Sequence, residues 1–299
     1  MEIFKTAFFM TALMLLFIFI GGLVGGESGV FIALAVGAMT NLVSYFFSDT
    51  MVLKHYNATQ LEPENRLYRL VEDLAVEANL PMPKLYVIED GALNAFATGR
   101  NHKHAVVAVT RGLLEMMDDN EVKAVVAHEL GHVKHYDILT GTIASVFAGA
   151  IASLATMLKF GAAGSMVGGG GGERRGANPL FLLALAVVAP TVATVIQMSV
   201  SRAREFEADK FSAELTNPLW LASALGRIEE CARRVAMQNA NEQTAHMFII
   251  SPLSGVTQAF SGLFRTHPTT EQRIARLNEM AKNGVGSSAA KRYFQKTEN

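Results

Sequence analysis

The chain has 299 residues, half of them hydrophobic and 18% charged, with a net charge of −1 and a positive mean hydropathy. That balance suits a membrane protein and argues against a nucleic-acid partner, which would call for a concentrated basic stripe. The single cysteine, Cys231, excludes an intrachain disulfide framework and a thiolate metal site, and is compatible with a reducing compartment.

Thr6 to Gly26 carries no charge and is long enough to cross a bilayer, which takes about 20 apolar residues. Gly29 to Phe47 is a second such run, interrupted only by Thr40, Asn41 and Ser44. The short glycine-rich link between them predicts an antiparallel transmembrane hairpin over residues 1–48. The spacings Gly21-x-x-x-Gly25 and Gly22-x-x-x-Gly26 serve either a close helix approach or the turn itself. The first run exceeds the roughly 7 to 15 residues of a signal-peptide core, so it reads as an anchor.

A soluble segment, 49–137, follows. Pro63 to Asn79 is amphipathic, with Leu67, Leu70, Val71 and Leu74 on one side and Glu64, Arg66, Arg69 and Glu72 elsewhere, which predicts a core helix. Lys84 to Glu89 and His104 to Thr110 read as strands, with turns near Gly91 and Gly99. Between them Asn94-Ala-Phe-Ala97 reads as a strand fragment at a sheet edge. His102 and His104 flank Lys103 in a turn and are expected to be solvated.

Residues 128–132 read His-Glu-Leu-Gly-His. On a helix His128 and His132 lie one turn apart on one face and can share a zinc ion, while Glu129 beside them is placed to act as general base. Asp118 with Glu121 forms a capping box for that helix, and Val122, Val125, Val126 and Leu130 supply apolar positions at helical spacing. Gly131 is a poor helix former, which predicts close packing against backbone or metal. His135 shares the histidine face one turn further on, too far for the same ion, and is read as a helix-end residue.

Ile138 to Leu158 and Leu180 to Val200 form a second hydrophobic pair, joined by a linker with the run Gly168 to Gly172. Because the histidines precede this pair and the remaining ligand follows it, both segments cross the bilayer or neither does. Lys5, Lys54, Arg202 and Arg204 flank the hydrophobic runs on one side and place that side in the cytoplasm.

A catalytic zinc site needs a third protein ligand and an open position. In Ser201-Arg-Ala-Arg-Glu-Phe-Glu-Ala-Asp209, Glu205 and Asp209 share a helical face and Glu207 points away. Glu205 is the expected third ligand, and Asp209 the residue that fixes the tautomer of a ligand histidine. By itself the stretch also reads as a surface helix of alternating charge. Further on, His267-Pro268 reads as a turn before a helix beginning near Thr270, with Arg273 on its surface.

Together, His128-Glu-Leu-Gly-His132 and Glu205-Phe-Glu-Ala-Asp209 resemble the M48 metallopeptidases. The four hydrophobic runs around them resemble the heat-shock proteases of bacterial inner membranes within that family. The resemblance covers nearly the whole chain. Thr266 to Leu277 is similar to the family's His-Pro motif with an arginine six residues after the histidine, and His246 to Pro252 is similar to a segment upstream of it. It implies that His267 and Arg273 line the active site, His267 stabilising a tetrahedral oxyanion and Arg273 orienting Glu205. In the wider zinc-peptidase group a sequence like Asn94-Ala-Phe-Ala97 forms the edge strand on which the substrate peptide pairs, which implies that Asn94 and Ala95 contact its backbone. A role in quality control of misfolded proteins, beside other membrane quality-control proteases, is implied likewise.

The expectation is thus a mostly helical α+β multi-pass membrane protein with a gluzincin-like peptidase domain that carries a small β-sheet. That domain comprises 49–137 and 201–299 and is split by 138–200. It holds one zinc ion per chain on His128, His132 and Glu205, uses Glu129 and His267 in catalysis, and cuts polypeptides, membrane proteins above all, at the cytoplasmic face of a bacterial inner membrane. Three rivals are weaker. An inactive scaffold would not keep every catalytic group, and a channel would carry charge inside its hydrophobic segments. An intramembrane zinc protease would bury its motif in an apolar span, whereas Glu121, Lys123, Lys134 and Asp137 surround this one.

Overall fold

The computed structural model describes residues 2–143, 202–240, 244–252 and 268–286. Most of the second hydrophobic pair, its glycine-rich linker and His267 lie outside the described residues. The chain divides into two compact units, with residues 1–48 in one and residues 49–142 and the later described segments in the other.

α1 (Glu2–His55), most of which lies in the first unit, is broken at Gly26, whose φ of 58° and ψ of −142° no helix contains. There the chain turns back on itself. Asn41 Nδ2 donates to the Met10 carbonyl at 3.2 Å, and Gly37 faces Met14 and Phe17. A Cβ on Gly21 would lie 2.4 Å from the Gly29 carbonyl oxygen, so the two arms meet where neither has a side chain. Glycine therefore serves both ends: close approach at Gly21 and Gly29, left-handed backbone at Gly26. Phe8, Phe19, Phe31 and Ile32 are exposed on the outer faces. Among the described residues one helix, Gly26–His55, is long and apolar enough to cross a membrane, at 30 residues and a mean hydropathy of 1.9.

The second unit sets a mixed four-stranded sheet against helices. The sheet comprises β1 (Thr59–Gln60), β2 (Lys84–Ile88), β3 (Ala95–Gly99) and β4 (Ala105–Thr110), in the order β1-β2-β4-β3. β4 is central, parallel to β2 and antiparallel to β3, and all six of its residues are buried. That burial is why Ala-Val-Val-Ala-Val runs without polar alternation. β3 stands at an edge, as its sequence suggested.

α2 (Arg66–Glu77) starts at an Asn65 cap and buries Leu67, Val71 and Leu74. After the short α3 (Arg111–Met116), α4 (Asp119–Lys134) opens on the Asp118–Glu121 capping box that the spacing predicted. α4 is buried almost all round, between the sheet, α2 and two later helices, α5 (Arg202–Leu215) and α6 (Pro218–Ala232), on which α7 (Thr270–Lys282) packs in turn. α6 begins at an Asn217 cap with proline in its first turn, and α7 at a Thr269–Gln272 capping box. Leu67, Val107, Val125, Leu225 and Leu277 join these elements into one core. Gly131 lets α4 and α5 approach: a Cβ there would lie 3.0 Å from the Ala208 Cα, so its partner is backbone.

Candidate metal centre

The close contact at Gly131 and Ala208 fixes which side chains α4 and α5 show each other. His128 and His132, one turn apart on α4, face each other with their Nε2 atoms 3.2 Å apart. Glu205, on α5, reaches both: its Oε2 is 3.7 Å from His128 Nε2 and its Oε1 3.5 Å from His132 Nε2. Ligand atoms of the three residues lie within 4.8 Å of one another. The opposite ring nitrogens are occupied. His128 Nδ1 lies 3.0 Å from Asp209 Oδ1, and His132 Nδ1 lies 3.2 Å from Asp137 Oδ2. With both Nδ1 positions engaged by carboxylates, the Nε2 lone pairs converge with the Glu205 carboxylate on one point. Two imidazoles and one carboxylate are the donor set of a hydrolytic zinc site with a position left open, and the residues fit that ion.

The charges around the site follow from burial and from who sits beside whom. Burial, with the Arg273 guanidinium, holds His128 down to about 4, which Asp209 only partly opposes. His128 is thus the neutral base that a ligand must be. For His132 burial also opposes charge, yet the Asp137 hydrogen bond and the Glu205 and Glu129 carboxylates carry it up to about 9, so that a cation bound at Nε2 would have to displace a proton there. Burial pushes Glu129 up to about 7; Glu205 adds to the rise, while His132, Arg273 and the Ala97 backbone pull against it. Asp209 goes the other way: burial is outweighed by Arg273 and His128, which hold it below the usual carboxylate range.

Glu129 is fully buried, and its Oε1 has no hydrogen-bond partner among the described residues. A buried carboxylate oxygen left unpaired is costly, and functional sites are where such costs persist. Glu207 is exposed and turned away, as the helical-face reading expected. His135 caps the end of α4 with its ring 6.0 Å from that of Phe211, outside the donor cluster.

Three readings from sequence change here. Spacing alone put Arg273 on a surface, but it is buried at 1% exposure. It donates through Nε and Nη2 to Asp209 at 2.9 and 2.6 Å and through Nη1 to the Ile249 carbonyl at 2.8 Å, and lies 3.5 Å from Glu205. The reason is tertiary: α7 packs on α5 and α6, where the Asp209 and Glu205 carboxylates await a cation. His102 is not solvated but stacked on Tyr136, centroids 3.9 Å apart. Asn94 and Ala95, expected to meet a peptide, are already engaged within the chain. The Asn94 amide donates to the Ile250 carbonyl at 2.9 Å, and the Ala95 carbonyl accepts from Ile249 N at 3.1 Å. From the register with β4, the next backbone groups turned outward along β3 are those of Ala97 and Gly99.

One residue of the site escaped the sequence reading. Asp137, five positions after His132, stands in the sequence only as one of the charges around the motif. Its signal was present in the spacing, but an aspartate just past a helix end has no fixed direction until the turn is known.

A helix bearing His-Glu-x-x-His against a small mixed sheet, completed by a carboxylate from a neighbouring helix, is the architecture of a metallopeptidase. The profile of peptidase family M48 matches residues 61–281, and the chain belongs to that family. It is 54% identical over 283 residues to a protease HtpX homolog of Campylobacter concisus, covering 94% of this chain and 97% of the relative. With a protease HtpX homolog of Sulfurovum the identity is 50% over 286 residues, covering 94% and 100%. The fold is similar to that of Ste24p from S. mikatae, with a TM-score of 0.50 at 20% identity, covering 89% of this chain and 62% of that one. The chain is accordingly a protease.

Proposed function

We propose that this protease is a membrane-embedded zinc endopeptidase that cuts membrane or misfolded polypeptides at the cytoplasmic face of a bacterial inner membrane, in protein quality control. The observation that carries the reading is the convergence of His128 Nε2, His132 Nε2 and the Glu205 carboxylate beside the buried Glu129. One zinc ion per chain would be held by those three residues, and the chemistry it supplies when bound is Lewis acidity toward a carbonyl and a water. Glu129, buried beside the two histidines, takes the proton from the attacking water and returns it to the leaving amine. The substrate backbone lies along the outward edge of β3, its pairing continuing from Ala97 toward Gly99. Asp209 and Arg273 hold His128 in place, and His267 is assigned to the oxyanion.

The exposed aromatic and aliphatic face of α1 supports insertion in lipid. A helix of 30 residues is about 45 Å long, more than the ~30 Å hydrocarbon core requires. The proposed organisation is a transmembrane hairpin over 1–48, peptidase segments over 49–137 and 201–299, and a second hydrophobic pair between them. The test of the activity is zinc analysis of detergent-purified protein paired with casein cleavage. Near-stoichiometric zinc and cleavage that a chelator stops are expected; cleavage indifferent to the chelator and a chain without zinc would refute the reading.

Orientation has its own test. Residues just before Ile138 and just after Val200 must share a membrane side, because they lead to ligands of one ion. Single cysteines near Asp118 and Lys210, in a Cys231→Ser background, should both resist a membrane-impermeant thiol reagent in intact cells and react after lysis. External labelling of either one contradicts the cytoplasmic placement, and labelling of one alone contradicts the shared site.

A further inference from the structure

His128 and His132 each bind a carboxylate through Nδ1, and the two carboxylates are held differently. Asp209 is gripped by Arg273 in the interior. Asp137 lies at the opposite end of the site, just past the end of α4. Its Oδ2 meets His132 Nδ1 at 3.2 Å while its Oδ1 accepts from Arg204 Nη1 at 3.1 Å. Both of these partners are largely buried, with side-chain exposures of 9% for Asp137 and 13% for Arg204.

The backbone is arranged to bring Asp137 there. α4 ends at Lys134, the His135 amide bonds back to Gly131, and Tyr136 adopts a φ of 64°. A left-handed residue at a helix end is usually glycine, because a side chain is strained there. Here a tyrosine occupies it, with its ring stacked on His102 at 3.9 Å and an interplanar angle of 27°. The left-handed turn folds the chain back, so that the next residue points at the imidazole five positions earlier. Arg204, one residue before Glu205, then joins Asp137 to the helix that supplies the third donor.

We infer that Asp137, presented by the left-handed Tyr136 and clamped by Arg204, is a positioning residue for His132. Its carboxylate accepts the Nδ1 proton, fixes the tautomer and keeps Nε2 turned toward the metal. The inference rests on the reading of His132 as a zinc ligand. Arg204 makes the contact bilateral, because one carboxylate orients a donor of α4 and is itself held by the residue next to the donor of α5.

The test compares zinc affinity, by chelator competition, in purified full-length protein and in its Asp137→Ala, Asp137→Asn and His132→Ala variants, with thermal unfolding recorded for each. Asp137→Ala should bind zinc about 10 to 100-fold more weakly. Asp137→Asn keeps an acceptor oxygen for Nδ1 while losing the charge that pairs with Arg204, so it should recover most of that affinity. If Asp137 served only as an ion-pair partner in the fold, Asn and Ala would fail alike; that result, or wild-type affinity in Asp137→Ala, overturns the inference. Should the Ala variant not fold, Asp137→Asn decides with cobalt in place of zinc. Near-wild-type cobalt affinity and visible bands uphold the hydrogen-bond role, and a loss as large as that of His132→Ala overturns it. His132→Ala separates the two claims. If it loses zinc, the metal site stands and Asp137 is judged alone; if it keeps wild-type affinity, the site reading fails and this inference with it.

Discussion

Glu129→Gln is expected to leave zinc bound and to lower casein turnover by roughly 10²-fold or more. The substitution keeps the size of the side chain and its capacity to hydrogen-bond, but removes the group that exchanges the proton. Metal retention follows from position: Glu129 lies beside the donor cluster and contributes no atom to it, the cluster being His128, His132 and Glu205. The loss of rate follows because an amide in the same buried place cannot accept a proton. Paired measurement of zinc content and cleavage decides the matter. Near-normal cleavage by the pure variant would remove Glu129 from the mechanism.

Glu205→Ala should lose both metal and activity, while Glu207→Ala keeps both. The two residues are two positions apart on α5, and the contrast is geometric. Glu205 is buried, within 3.7 Å of one ligand histidine and 3.5 Å of the other, and Glu207 is exposed on another face. Removing Glu205 takes away a donor and also an anion that Arg273 faces at 3.5 Å, so a buried cation loses part of its compensation. Metal analysis of the two variants, purified in the same detergent, reads the difference; the reverse pattern would sink the ligand assignment.

Much of this was legible along the chain because its signals are local. The capping box at Asp118 and Glu121, the one-turn spacing of the histidines, the strand at Lys84 and the start of α7 at Thr270 each depend on residues within a few positions of one another. Local rules need no knowledge of what lies across the fold. Glu205 was legible for the same reason, as a helical face shared with Asp209. The glycines of the first hairpin were half legible. Their spacing announced a close approach or a turn, and the backbone assigned Gly21 and Gly29 to the one and Gly26 to the other.

What tertiary structure alone decided is which polar groups have partners. Arg273 sits on a helix whose sequence is polar enough for a surface, and only the packing of α7 beside α5 turns it into the buried cation between Asp209 and Glu205. Asn94 and Ala95 look like an open strand edge until residues 249 and 250, more than 150 positions later, take up their amide and carbonyl. Asp137 waits on a left-handed turn at Tyr136 that no glycine announces. The sequence by itself singled out His128, His132 and Glu205 as candidate donors and determined the helix that carries two of them, since metal-ligand spacing is a property of one helical turn. Their orientation is set by hydrogen bonds between residues distant in the chain, and those exist only once the helices have packed.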